Sequence, residues 1–365
     1  MGGAFEKILR IPFGTISDGR EAGLYLLKNS RGTEAAVTDY GAALVRMMVC
    51  DKKGQMRDVV LGYDCASDYE EAQESMGATV GRFANRIGKG SFTLKGINYQ
   101  LTRNNGPNTL HGGRDFYVHR LWKVMEEKES LVTFALKSPD GDQGFPGNLD
   151  ITVTYELTED NELMIRYTAR ADQDTPLNLT NHSYFNLAGH DSGSVLSHVL
   201  VVQADQITEP DENNLPTGNY LPVEGTALDF RQPKALGRDI GADCPALITG
   251  NGYDQNYVLR NDGKDAGSAD QCGERYYREA AALSCQESGI TMTVSTDLPG
   301  MQIYTANYLS SDHGKGGSRY QPRDAVCLET QYYPDSVNKE HFPGGILKAG
   351  ETFESRTGYR FSTDQ

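Results

Sequence analysis

The sequence predicts an all-β chain, a large antiparallel β-sandwich, on three observations. Short segments of alternating apolar and polar residues recur throughout, no segment carries a strong helical period, and glycine and tyrosine number 40 and 20 of 365 residues. Alternation at period two puts one face of each segment into a core, and glycine supplies the tight turns between strands. Strands at such short intervals pair antiparallel and stack in layers. There is no fixed-period repeat, and β-sandwiches exceed 200 residues as single units, so residues 1–365 are expected to form one domain.

In chain order, Ala36 to Val49 reads as two extended pieces bent at Gly41, and Asp58 to Leu61 as another short strand. The acidic stretch Asp68 to Glu74 predicts a short surface helix or turn. In GRFANRIGKGSFTLKGINYQL, Gly81, Gly88, Gly90 and Gly96 punctuate Phe92, Leu94, Ile97 and Tyr99 into a hairpin. Leu131 to Ser138 alternates through Val132, Phe134 and Leu136. The clearest hairpin has Ile151, Val153, Tyr155 and Leu157 on one arm, a turn at Glu159, Asp160 and Asn161, and Leu163, Ile165, Tyr167 and Ala169 on the other. Val199 to Ala204 predicts a strand, and the proline-bearing Pro210 to Val223 a surface loop. Asn261 to Gly273 is the most linker-like stretch and is taken as a hairpin tip. Three further alternations follow, at Ile290 to Val294, Met301 to Thr305 and Val326 to Leu328.

A formal charge of −15 with no cluster of lysine and arginine argues against a nucleic-acid partner. The six cysteines are scattered without a C-x-x-C pair, which signals neither a zinc knuckle nor a redox dithiol and suits reduced thiols. There is no dinucleotide fingerprint either, and no cofactor is expected. Charges at Glu6, Lys7 and Arg10 interrupt any signal-peptide core, Glu6 stands where a myristoylation motif requires Ser or Thr, and no window approaches a membrane span. The expectation is a soluble cytoplasmic protein; its oligomeric state is not set by these features.

The stretch TNHSYFNLAG, Thr180 to Gly189, sets one imidazole, His182, among hydrogen-bonding groups and the rings of Tyr184 and Phe185. On a strand, His182 and Tyr184 share one face and Ser183 and Phe185 the other. An imidazole beside an aromatic wall suits a sugar, although an isolated histidine more often serves packing. Glu329 lies on a strand whose Val326 and Leu328 are core-like, so its carboxylate faces the other way with Gln331. Alone, that describes most solvated glutamates. Arg86 follows Asn85 in GRFANRIG, His111 sits before two glycines that permit close backbone approach, and Asp254 follows Gly252 in a segment that equally suits a turn cap.

Together these strings resemble the aldose 1-epimerase, or galactose mutarotase, family over nearly the full length. The resemblance is carried, in order, by GRFANRIGKGSFTLKG, NNGPNTLHGG, FPGNLDITVTYELTEDNEL, TPLNLTNHSYFNLAG, GYDQNYVL, LPGMQIYTANYL and VCLETQYYPDSVN. It implies a β-sandwich of the galactose-mutarotase type binding a free aldohexose such as galactose or glucose in an open cleft, without a metal. By position it implies His182 as general acid, Glu329 as general base, Arg86, His111 and Asp254 as holders of sugar hydroxyls, and Asn85, Tyr184 and Gln302 as further pocket members. Gln255 departs from the histidine that often follows the aspartate in that family, and it and the 261–273 loop are expected to alter the cleft rim.

The implied reaction interconverts α and β anomers. A base removes the proton of the anomeric hydroxyl while an acid protonates the ring oxygen, and the ring opens and recloses. Histidine titrates near neutrality and glutamate below it, so the sequence predicts a protonated His182 and an ionised Glu329 unless burial intervenes. A glycoside hydrolase would ordinarily pair two carboxylates, a hexose-phosphate epimerase would add basic groups, and a lectin-like sandwich would bind without turnover.

Overall fold

In the computed structural model, residues 8–261 and 276–363 are described. The C-terminal strand Thr352–Thr363 holds the two halves of the chain together. It pairs antiparallel with Glu162–Ala171 on one side and Ile290–Thr296 on the other. Around it a nine-stranded sheet runs in the order Lys123–Lys128, Leu131–Ser138, Leu149–Leu157, Glu162–Ala171, Thr352–Thr363, Ile290–Thr296, Arg278–Cys285, Val199–Val202, Lys234–Ala235. Residues opposite one another across a ladder share a face. The registers Phe134↔Val153↔Tyr167, Tyr155↔Ile165 and Leu163↔Tyr359↔Val294 therefore build one apolar face.

Two five-stranded antiparallel sheets lie against that face. The first is a meander of Leu9–Thr15, Glu21–Lys28, Glu34–Thr38, Ala43–Cys50 and Met56–Asp58. Its Tyr25 meets Phe134 edge-on at 5.4 Å, a contact worth about 0.5–1.5 kcal/mol beyond area burial. The second orders Pro216–Pro222, Ala204–Pro210, Asp254–Leu259, Gly300–Tyr304 and Cys327–Gln331. Here Tyr359 donates a buried 3.0 Å hydrogen bond to the Leu328 carbonyl, and its ring packs on Phe185. Residues of all three sheets share one core. The all-β, antiparallel prediction therefore holds, as do the hairpins at 91–100 and 149–171. Among the described residues no helix is long and apolar enough to cross a membrane.

Three expectations need correction. The strand near Asp58 is Met56–Asp58, and the buried residues after it contribute only a bridge from Val60 to Phe185. Val199 to Ala204 is two strands, because the chain changes sheets at Gln203, whose amide donates to Ala280 and whose carbonyl accepts from Arg260. The 210–223 stretch is no plain loop but carries the edge strand Pro216–Pro222, where prolines at the strand's ends cost no ladder bond. Beyond Asn261, the 261–273 segment lies outside the described residues. The expected hairpin tip falls on that segment.

Candidate active site

Three strands of the second five-stranded sheet give the site its floor. The registers Asp254↔Tyr304↔Cys327 and Asn256↔Gln302↔Glu329 put these side chains on one face, while Tyr257, Met301, Ile303 and Leu328 enter the core from the other. The polar parity of LETQ seen in the sequence thus becomes a polar floor. A cleft of about 350 Å³ lies over it, near the lower end of small-molecule sites.

All eight predicted residues line this one cleft: Asn85, Arg86, His111, His182, Tyr184, Asp254, Gln302 and Glu329. Gln73, Glu74, Ser75, Asn105, Tyr304 and Tyr308 also line it and were not anticipated. Tyr304 was legible in principle, two residues from Gln302 on the same strand face. Asn105 lay within the quoted NNGPNTLHGG, but nothing in its turn-like setting pointed at Arg86. A larger depression of about 790 Å³ around Arg231 and Lys234 holds charges already engaged: Arg231 pairs with Asp229 at 2.9 Å and Lys234 with Asp239 at 3.3 Å.

His182, expected within a strand, instead follows the two-residue strand Thr180–Asn181. The extended path continues, because its amide donates to Ala78 and its carbonyl accepts from Gly77, both at 2.9 Å. Facial alternation survives. The Tyr184 ring stacks on His182 at 5.0 Å and 16°, and Tyr304 stands edge-on to both. Asn181 and Ser183 do not reach the cleft side; Asn181 donates to the Gly77 carbonyl and accepts from Ser183, locking the segment.

The His182 Nε2 and Glu329 Oε1 atoms are 3.7 Å apart, too long for a hydrogen bond and close enough to serve neighbouring atoms of one ligand. Both residues are buried, at 6% and 2% exposure. Burial lowers the His182 pKa to about 4. It pushes Glu329 well above the carboxylate range, the charge of Asp254 adding to this and Arg86 opposing it. The expected ionised pair is therefore disfavoured in the free site, where desolvation acts against both charges. Glu329 Oε2 and His182 Nδ1 are buried without a hydrogen-bond partner among the described residues.

The remaining groups are held in place. The Asn85 amide donates to His111 Nδ1 at 3.2 Å, which leaves Nε2 as the protonated, donating nitrogen of a neutral ring. Burial lowers His111 well below the usual range, in keeping with that state. Asn85 and His111 both adopt left-handed backbone, at φ 62° and 54°. Arg86 Nε donates to Asn105 at 3.2 Å. Asp254 accepts from Gln302 at 2.7 Å and from Asn214 at 3.4 Å. Gln255, expected at the rim, points to the opposite face, where it donates to Ala246 and accepts from the Asp254 amide. That backbone contact is its only path to the cleft.

Fold and cleft together define a class: an antiparallel β-sandwich with a buried imidazole and a buried carboxyl 3.7 Å apart, in a small cleft lined also by an arginine, a second imidazole and an amide-capped aspartate. The aldose 1-epimerase family profile matches residues 23–360. A galactose mutarotase of Bos taurus is 41% identical over 327 residues, covering 89% of this chain and 90% of the relative. An aldose 1-epimerase of Escherichia coli (strain K12) is 34% identical over 348 residues, covering 94% and 96%. Among solved structures, an aldose epimerase homologue from C. elegans aligns with a TM-score of 0.84 at 31% identity, covering 94% of this chain and 100% of that one. The galactose 1-epimerase of Lactobacillus acidophilus NCFM aligns at 0.83 and 25%, covering 99% and 100%. The chain belongs to the aldose 1-epimerase family and is an isomerase.

Proposed function

We propose that the protein interconverts the α and β anomers of free aldohexoses such as galactose and glucose, with Glu329 as general base and His182 as general acid. The observation that carries the assignment is the convergence of the two groups, 147 positions apart in sequence and 3.7 Å apart in the cleft. The anomeric hydroxyl and the ring oxygen share one carbon, so their acid and base must stand a few ångströms apart.

Glu329 takes the proton of the anomeric hydroxyl, the bond from the anomeric carbon to the ring oxygen breaks, and His182 protonates that oxygen, leaving an open-chain aldehyde. Rotation about the adjacent carbon–carbon bond presents the other face, and both transfers run backwards on closure. No oxidation, leaving group or covalent adduct is involved, so two side chains suffice. Ring opening converts an imidazolium and a carboxylate into a neutral pair. Burial favours the neutral side of that step and disfavours the ion pair from which it starts.

Arg86, His111 and Asp254 orient the ring through its hydroxyls, with Asn85, Tyr184 and Gln302 completing the pocket. A glycosidase would ordinarily pair two carboxyls across the bond it cleaves; of the cleft's other two, Asp254 accepts protein hydrogen bonds at both oxygens and Glu74 accepts one from the Tyr63 hydroxyl. Five described cysteines are unbridged, which supports a reducing, cytoplasmic setting. Polarimetry on freshly dissolved α-galactose and α-glucose tests the proposal. Accelerated approach to anomeric equilibrium is expected; sugar binding without acceleration would leave a lectin-like module.

A further inference from the structure

We infer that the floor of the cleft binds a thiophilic divalent cation such as Zn²⁺ through His182, Cys327 and Glu329. Cys327 is fully buried, does not line the cleft, and has no part in the proposed proton transfers. It lies two residues from Glu329 on the Cys327–Gln331 strand, hence on the same face. One ligand atom from each of the three residues lies within 4.8 Å of the other two.

The geometry is close to a tetrahedral site. Zinc bonds of about 2.0–2.2 Å to nitrogen and oxygen and 2.3 Å to sulfur put neighbouring ligand atoms about 3.4–3.6 Å apart. The His182–Glu329 separation of 3.7 Å already meets this. The widest spacing closes by about 1 Å of side-chain adjustment to satisfy those bond lengths.

Three protein ligands leave a fourth position, which faces the cleft because His182 and Glu329 both line it. The donor set selects the metal. Thiolate with imidazole suits zinc and its neighbours, whereas magnesium and calcium prefer oxygen alone. A dication balanced by a thiolate and a carboxylate is neutral as a unit, which suits a buried position. On the acid–base reading above, on which this consequence rests, the cation occupies both proton-transferring groups and stops turnover reversibly.

The full chain, freed of metal by chelator, is titrated with Co²⁺ as a spectroscopic probe and with Zn²⁺ during polarimetry. A thiolate-to-cobalt charge-transfer band is expected, together with inhibition by Zn²⁺ that chelator reverses and Mg²⁺ does not cause. Cys327→Ser is expected to keep mutarotase activity, lack the band, and need more than about 100-fold more zinc for the same inhibition, beyond what losing an outer-shell partner causes. Cys327→Ala is the second variant. If neither folds, the band in the unaltered chain decides. Absence of the band, or equal zinc sensitivity in a folded Cys327 variant, overturns the site. A bound cation with undiminished turnover upholds the site and instead removes His182 and Glu329 from the catalytic roles.

Discussion

Replacing Glu329 with glutamine separates catalysis from folding. The amide keeps the shape of the protonated carboxyl and cannot accept the proton of the anomeric hydroxyl. A general base contributes about 10² to 10⁴ in rate, so Glu329→Gln is expected to raise the barrier by roughly 3–5 kcal/mol. Stability is expected to move the other way. Burial raises the folded pKa of Glu329 above its ordinary 4.5, so the native state holds that proton more tightly than the unfolded chain does. Such a group costs nothing below the unfolded value, and stability falls as pH rises through the folded one. Each tenfold change in acidity is worth about 1.4 kcal/mol. Glutamine removes this penalty, so the variant gains on the parent at pH 8 and not at pH 4. Polarimetry corrected for spontaneous mutarotation reads the rate, and urea unfolding at both pH values reads the stability. A parent-like rate refutes the base role, and a variant less stable than the parent at pH 8 refutes the buried-charge argument.

The His182–Glu329 pair holds one proton between its two titrations, and that one-proton pair is the reacting form. With His182 lowered to about 4, kcat/KM is expected to fall on the acid side only as pH drops toward about 4, while the raised Glu329 moves the alkaline limit upward from the ordinary carboxylate range. An acid-side decline centred on 6.5 would refute this. For Arg86→Ala, loss of a charged hydrogen bond of about 1.5–3 kcal/mol raises KM roughly ten- to hundredfold with a smaller change in kcat. Asn105→Ala, which frees the guanidinium without removing it, moves steady-state KM the same way by less, and an unchanged KM in both argues against the contact. Arg82 is buried and donates to the carbonyls of Pro146, Gly147, Ser138 and Pro139. Arg82→Met strands several of these acceptors at about 1–3 kcal/mol each, so urea unfolding is expected to show a loss above about 3 kcal/mol.

The sandwich was legible because long ladders bury one face and the sequence alternates to match, as from Leu149 to Ala171. Short elements were not. Pro216–Pro222 is an edge strand whose solvent-facing residues carry no apolar rhythm, and the break at Gln203 depends on which sheet offers the next partner. The candidate site was legible through quoted strings, each residue reaching the cleft, while protonation was not. An imidazole among polar neighbours in sequence says nothing about desolvation, and His182 proved buried against Tyr184 and Tyr304. Gln255 misled for a related reason: adjacency to Asp254 in sequence means the opposite face on a strand.

Register is what joins fold to chemistry here. The floor is polar only because Tyr257, Met301, Ile303 and Leu328 face the core, which obliges Asp254, Gln302 and Glu329 to face the cleft. A slip of one residue in the Cys327–Gln331 strand would bring Leu328 to the cleft and bury Glu329 in hydrocarbon. The apolar parity that stabilises this sheet therefore also sets the spacing of the proton-transferring pair. The Tyr359 hydroxyl adds a check on that parity, since its hydrogen bond to the Leu328 carbonyl ties the strand to the central sheet one residue from Glu329. Tyr359→Phe leaves every group in the cleft unchanged, so any loss of rate at unaltered KM would report position alone.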